Sequence, residues 1–300
     1  MTKSKAKSMW TRMAGGVTAV AAGLVMIGVT PDVALAQESN SQNVSGNIGF
    51  DLSHAYFFRG ITQEREGAVT QPYADMNWSL WSDDEGPIHS VDVQIGTWNS
   101  LHTGPTGSQE GGAATHVRSW YESDFFAGFT MGFDNWEAGV TYTSYMSPNA
   151  TFSTVKEMAF SLGMDDSALF GRFSMNPHVT MAVELDGQAD GGTSEGVYLE
   201  VGVEPGMDIV DGAASISFPV TFGFSMSNYY ENRDLGFEST FGYFNIGADI
   251  AFPLTVFPAG YLDWELSGGF HLLSLGEYLE ALNGGDSAQP VGTFGVNVAF

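Results

Sequence analysis

Large apolar side chains recur at every second position through most of this chain. Ile48, Phe50 and Leu52 alternate with Gly49, Asp51 and Ser53. Ala74, Met76, Trp78 and Leu80 alternate with Asp75, Asn77 and Ser79. Ile216, Phe218, Val220, Phe222 and Phe224 do the same in the second half. A period of two puts successive side chains on opposite faces of a β-strand, so each segment has one apolar face and one small or polar face. Twelve such segments can be traced between Ile48 and Phe300, the first running on through Tyr56 and Phe58. The pattern predicts an all-β chain with no composition shift to mark a second domain.

The closing segment, Val291 to Phe300, decides between architectures. Phe294, Val296, Val298 and Phe300 alternate with Gly295, Asn297 and Ala299, and the chain ends on an aromatic residue. In a soluble sandwich the apolar faces meet each other; in a membrane barrel they meet lipid, and periodicity alone does not separate the two. Strands of about ten residues span a bilayer obliquely. Together with the terminal aromatic strand they favour a transmembrane antiparallel up-and-down barrel of about twelve strands, whose last strand pairs with its first and carries the membrane-insertion signal. An even count brings both termini to one side. Long polar connectors (Leu101 to Val117, Asn228 to Thr240, Gly276 to Pro290) alternate with short ones such as Gly132 to Asn135. The connector Met164 to Pro177 is long for a turn and leaves room for a strand or short helix, so ten or fourteen strands stay open. Glu277 to Asn283 reads as one or two helical turns inside its loop.

The N-terminus gives a compartment. Lys3, Lys5, Lys7 and Arg12 precede an uncharged run from Ala14 to Val29, and Ala34-Leu35-Ala36 fits a small-x-small cleavage site. The expected product is a signal peptide over residues 1–36, cut after Ala36, and a mature barrel domain over residues 37–300 in the bacterial outer membrane. The chain has no cysteine, which removes disulfides and thiolate chemistry. It has 10 Lys plus Arg against 35 Asp plus Glu. Without the leader, six bases face 34 acids. That balance excludes nucleic acid as a partner.

The acids have a pattern of their own. Asp51, Asp75, Asp92, Asp124, Glu137, Glu157, Glu184, Glu200, Asp249, Asp263 and Glu265 all fall opposite the large apolar residues of their segments. The remaining bases, Arg59, Arg65, Arg118, Lys156, Arg172 and Arg233, lie mostly at segment ends or in connectors. Carboxylates without partners cannot be buried dry; they need water, cations or protons. The expected arrangement is a water-filled, pore-lining acidic face that concentrates small polar or cationic solutes. The alternative is a closed structural barrel that binds partners through its loops. Outer-membrane lipid and the barrel-assembly machinery are the other expected partners.

Catalysis and metal binding find little support. None of His54, His89, His102, His116, His178 and His271 stands in a recognisable Ser/His setting, so no enzyme is expected and a lipid hydrolase is the weakest reading. Asp83-Asp84-Glu85 and the run from Asp186 to Asp190 are acidic turns without EF-hand spacing. No phosphate-binding glycine loop and no zinc spacing occurs, so no cofactor and no metal site is expected.

Two patches carry a family resemblance: Ser53 to Gln63 (SHAYFFRGITQ), and Asn176 to Glu204 with NPHVTMAVELDG and GVYLEVGVE. They resemble the TorF-type porins and related exported barrel proteins of bacteria. The resemblance implies an outer-membrane barrel and a pore, and brings no catalytic or ligand residues. Within the first patch, Arg59 shares the parity of Asp51. It is expected to point inward near the outer mouth, pairing with a loop carboxylate or bracing the loop. A rim arginine at headgroup level is the competing expectation.

Overall fold

The computed structural model describes residues 43–83, 86–104, 119–170, 173–210, 213–232, 236–254 and 262–300. The expected leader lies outside them, as do Arg118, Arg172 and Arg233. Twelve strands form the wall: β1 (Val44–Ser53), β2 (Val69–Ser82), β3 (Ser90–His102), β4 (Trp120–Phe133), β5 (Trp136–Met146), β6 (Val155–Met164), β7 (His178–Asp186), β8 (Val197–Val203), β9 (Val220–Ser227), β10 (Phe241–Leu254), β11 (Asp263–Leu275) and β12 (Ala288–Ala299). Each pairs antiparallel with its neighbours in sequence, and β12 pairs back onto β1 with Phe50 opposite Val296 and Leu52 opposite Phe294. Phe300 closes the ring with backbone bonds of 2.8 and 3.0 Å to Gly46. The fold is the closed twelve-stranded barrel that the alternation predicts.

Outward-facing residues are large and bare. Ile48, Phe50, Phe129, Phe160, Phe222, Ile246 and Phe270 are all exposed, while the intervening residues are wholly or partly buried. Three neighbouring strands are broken by proline. Met175–Pro177 separates a two-residue strand, Phe173–Ser174, from β7; Pro205 separates β8 from its continuation Gly206–Val210; Pro219 separates Ala214–Ser217 from β9. Proline has no N–H to give to a ladder, so it interrupts regular pairing. The wall stays joined there through Glu204 N to Met175 O (2.7 Å), Phe218 N to Pro205 O (2.8 Å) and Gly247 N to Pro219 O (2.9 Å). The long connector after β6 holds both a short helix, α1 (Ser167–Phe170), and the small strand Phe173–Ser174. The helix expected after β11 is α2 (Glu277–Leu282).

One expectation is corrected. The first strand does not run through Phe58. It stops at Ser53, and Tyr56–Phe58 pairs with Ile61–Glu64 as a separate hairpin. Three successive aromatics cannot continue an in-out alternation, and all seven strand residues of the hairpin are buried. It is folded into the barrel.

Glycines on the inner face make room for bulky neighbours across the ladder. A Cβ at Gly49 would lie 2.5 Å from the Tyr73 hydroxyl and 2.7 Å from the Val296 carbonyl oxygen. Gly223 is likewise covered by Tyr243, and Gly247 by His271. Large inward side chains therefore lie flat against the wall. Gly49→Val is expected to cost about 1–3 kcal/mol through overpacking, read as a lowered urea midpoint of the refolded barrel.

Candidate functional site: the plugged lumen

The inward hairpin turns at Arg59 and Gly60, with φ of 49° and 82°. Two positive φ values at a two-residue turn are normally given to Asn, Asp or Gly. Arginine at the first position has to be held by its side chain. Arg59 is 0 % exposed and grips Glu157 of β6, itself 1 % exposed, with Nη1–Oε2 at 2.7 Å and Nη2–Oε1 at 2.8 Å. Nη1 also donates to the Tyr229 hydroxyl at 2.7 Å. The guanidinium lies 4.1 Å over the Tyr198 ring. Such a forked, stacked contact uses the planarity that lysine lacks.

Other elements fix the hairpin in place. Tyr230 donates its hydroxyl to the Arg59 carbonyl at 3.0 Å. Asn283, at the C-terminal end of α2, donates to the Gly60 carbonyl at 3.1 Å and accepts from the Thr62 N–H at 3.3 Å. Phe57 and Ile61 share a buried cluster with Tyr198, Tyr243, Tyr278, Leu279 and Leu282. Tyr56 and Phe58 share another with Trp98, Tyr121 and Tyr145. Hairpin, α2 and the Tyr229–Tyr230 loop together fill the loop end of the lumen.

The strand pattern puts all eleven acids singled out from the sequence on the inner side of the wall, at different levels. At the plug, Glu157 holds Arg59, and Glu184 accepts backbone N–H groups from Ala189 (2.7 Å) and Gly196 (2.6 Å). Asp124 is buried across the ladder from Trp98, beside Glu122, an acid the sequence reading passed over. Towards the end bearing the termini lie Asp51, Asp75, Asp249 and Asp263, all partly exposed, with Glu137 likewise and Asp92 and Glu265 buried. Asp75 accepts from Gln94 (3.1 Å) and Asn47 (3.3 Å), and Asp249 meets His271 Nε2 at 3.0 Å. Glu200 accepts from the hydroxyls of Tyr198 (2.8 Å) and Tyr243 (3.2 Å). The acids are spread around the wall, and no cluster of three or more His, Asp or Glu among the described residues could hold a metal ion.

Arg59, expected at the mouth, lies just inside it and pairs with a wall carboxylate instead of a loop one. It has no place at a headgroup rim, because it is fully enclosed. Of the other described bases, Lys156 meets Asp186 at 2.8 Å in an exposed setting, and half-buried Arg65 meets Asp286 at 3.2 Å and the Asn283 carbonyl at 2.9 Å. The aromatic partners Tyr145, Tyr198 and Tyr229 were missed as site residues. For Tyr145 and Tyr198 the signal was present, since both share the parity of inward acids on their strands.

Between β7 and β8, Asp190 accepts the N–H groups of Gly192 (2.7 Å) and Glu231 (2.9 Å), tying two loops over the plug. Burial pushes its carboxyl up to about 6.

No family model matches the chain, and no curated protein does. Among solved structures it is similar to the COG4313 outer membrane channel from Pseudomonas putida F1, at 10% identity and TM-score 0.49, covering 91% of this chain and 100% of that one. It is also similar to the NanC porin, at 10% identity and TM-score 0.42, covering 86% and 98%. A third is the transport unit of the autotransporter AIDA-I from Escherichia coli, at 9% identity and TM-score 0.39, covering 87% and 90%. Such likenesses do not assign a function.

Glu157→Ala leaves a buried guanidinium without its counter-charge, so a loss of about 3–5 kcal/mol is expected, measured by urea unfolding. The Asp190 carboxyl is raised from 3.8 to about 6 in the folded state. Its stabilising contribution is therefore full below pH 3.8 and lost as pH rises through about 6. Hydrogen exchange in residues 187–196, corrected for intrinsic rates, is expected to quicken across that interval, and Asp190→Asn to flatten the change.

Proposed function

We propose that the chain is an outer-membrane, porin-like channel with an acidic lumen, closed in the described state by its own hairpin. The observation that carries this reading is the two-faced wall. Its outer surface exposes Phe, Ile and Leu as lipid would require, and its inner surface carries carboxylates that need water or cations. The basic, apolar and small-x-small pattern of residues 1–36, the terminal aromatic strand, and the TorF-type resemblance of Ser53 to Gln63 support the same reading. The solutes are small and polar or cationic; nucleic acid is repelled and no chemistry is performed. The partly exposed Asp51, Asp75 and Asp249 give the lumen its preference, since low-dielectric walls focus their field.

The filled loop end favours a second reading, a closed barrel that binds partners through its loops. Planar-bilayer recording under a KCl gradient separates the two. The channel reading expects brief openings with a reversal potential favouring potassium. It expects larger and longer openings when residues 56–64 are replaced by a short Gly/Ser link, and a weaker preference in the Asp51→Asn, Asp75→Asn, Asp249→Asn triple variant. Silence from the hairpin-replaced, folded barrel would leave the second reading.

A further inference from the structure

Apart from Phe58 of the hairpin, whose ring lies 5.0 Å from the guanidinium, the surroundings of Arg59 belong to the wall and its loops. Glu157 comes from β6, Tyr145 from β5, Tyr198 from β8, and Tyr229 from the connector after β9. Several of these groups also contact one another. The Tyr145 hydroxyl donates to Glu157 Oε1 at 3.3 Å. The Tyr198 hydroxyl is tied to Glu200 at 2.8 Å and to the Tyr243 hydroxyl at 2.9 Å. Tyr198 and Tyr229 stand with ring centroids 5.1 Å apart, and the Tyr229 N–H donates to Ser225 Oγ at 3.0 Å. Together they make a site for a planar cation: a carboxylate fork, a ring face 4.1 Å from the cation's centre, and a phenol oxygen at 2.7 Å. The chemistry matches guanidinium recognition feature by feature.

The hairpin's own geometry points the same way. Arg59 stands where the turn prefers Asn, Asp or Gly, so its backbone is strained by the presence of that side chain. A buried ion pair does little for stability compared with an apolar contact of the same shape. Its Nε meets no partner among the described residues, so the grip there rests on the two terminal nitrogens that any free guanidinium also presents.

We propose that Arg59 is a tethered stand-in for a solute, and that Glu157, Tyr198 and Tyr229 form a binding site for small molecules bearing a guanidinium group. A solute reaching the site takes over the fork on Glu157, and the hairpin tip is released. This rests on the channel reading for its biological sense, though the site itself does not need it. Tethering gives Arg59 a high effective concentration, so the wild-type site is nearly always occupied from within.

The test uses methylguanidinium as probe and methylurea as its neutral, similarly shaped control, with calorimetry on the refolded full barrel in detergent. Arg59→Ala vacates the site and is expected to bind methylguanidinium at least ten-fold more tightly than wild type. Methylurea should not bind, and adding Glu157→Gln should abolish the gain. If Arg59→Ala does not fold, Arg59→Lys serves, because an ammonium leaves the fork half-filled; it too should bind the probe more tightly than wild type. In wild type, high methylguanidinium is expected to quicken hydrogen exchange in residues 56–64, with methylurea inert. A folded vacated variant that binds methylguanidinium no better than wild type, or no better than methylurea, overturns the proposal. Binding without conductance in the hairpin-replaced barrel removes the channel reading and leaves the site; conductance without binding does the reverse.

Discussion

Everything in this barrel follows from the demand that no strand be left with a free edge. The pairing of β12 with β1 satisfies the last row of backbone groups. An open sheet with Ile48, Phe50 and Phe294 exposed beside a bare edge would be a template for aggregation. Closure turns the same residues into a continuous apolar belt and gives the other face an interior. Only then do the acids of alternate positions share a confined space.

That confined space is managed by what is small as much as by what is charged. Gly49, Gly223 and Gly247 let Tyr73, Tyr243 and His271 lie along the wall. The glycines do not serve here as turn residues. They set the free width of the lumen, because each missing side chain is a slot for its cross-strand neighbour. The aromatics held in those slots near the loop end supply the surfaces on which the hairpin packs. One inner face therefore carries two environments: tyrosine-rich and closed off where the hairpin sits, with partly exposed carboxylates towards the termini.

Strand number, closure and the helix after β11 were all legible in the sequence, because each follows from local patterning. The lumen-filling hairpin was not. Tyr56-Phe57-Phe58 continues an apolar run and passes for the end of a strand, yet its lack of alternation signals burial on both faces. Arg59-Gly60 between two apolar runs was the turn signal, obscured by arginine in a place that usually holds asparagine. The proline breaks were visible as residues, but their alignment across three strands depends on register, which sequence does not state. The partners of Arg59 were out of reach for the same reason: Glu157 and Tyr229 lie 98 and 170 positions away.

Those separations bear on how the molecule is made. The hairpin emerges between the first and second strands, long before the tyrosines, the carboxylate and the helix that receive it. Asn283, which binds both sides of its turn, follows 223 residues after Gly60. Contacts of such long range cannot form early, since the intervening chain must first be ordered. The hairpin is therefore a segment that waits: it cannot seat until the strands and the helix that receive it are in place. A ring with a strand missing or out of register would lack part of the receiving surface and keep its hairpin outside, so the seated hairpin is a built-in report that assembly has finished.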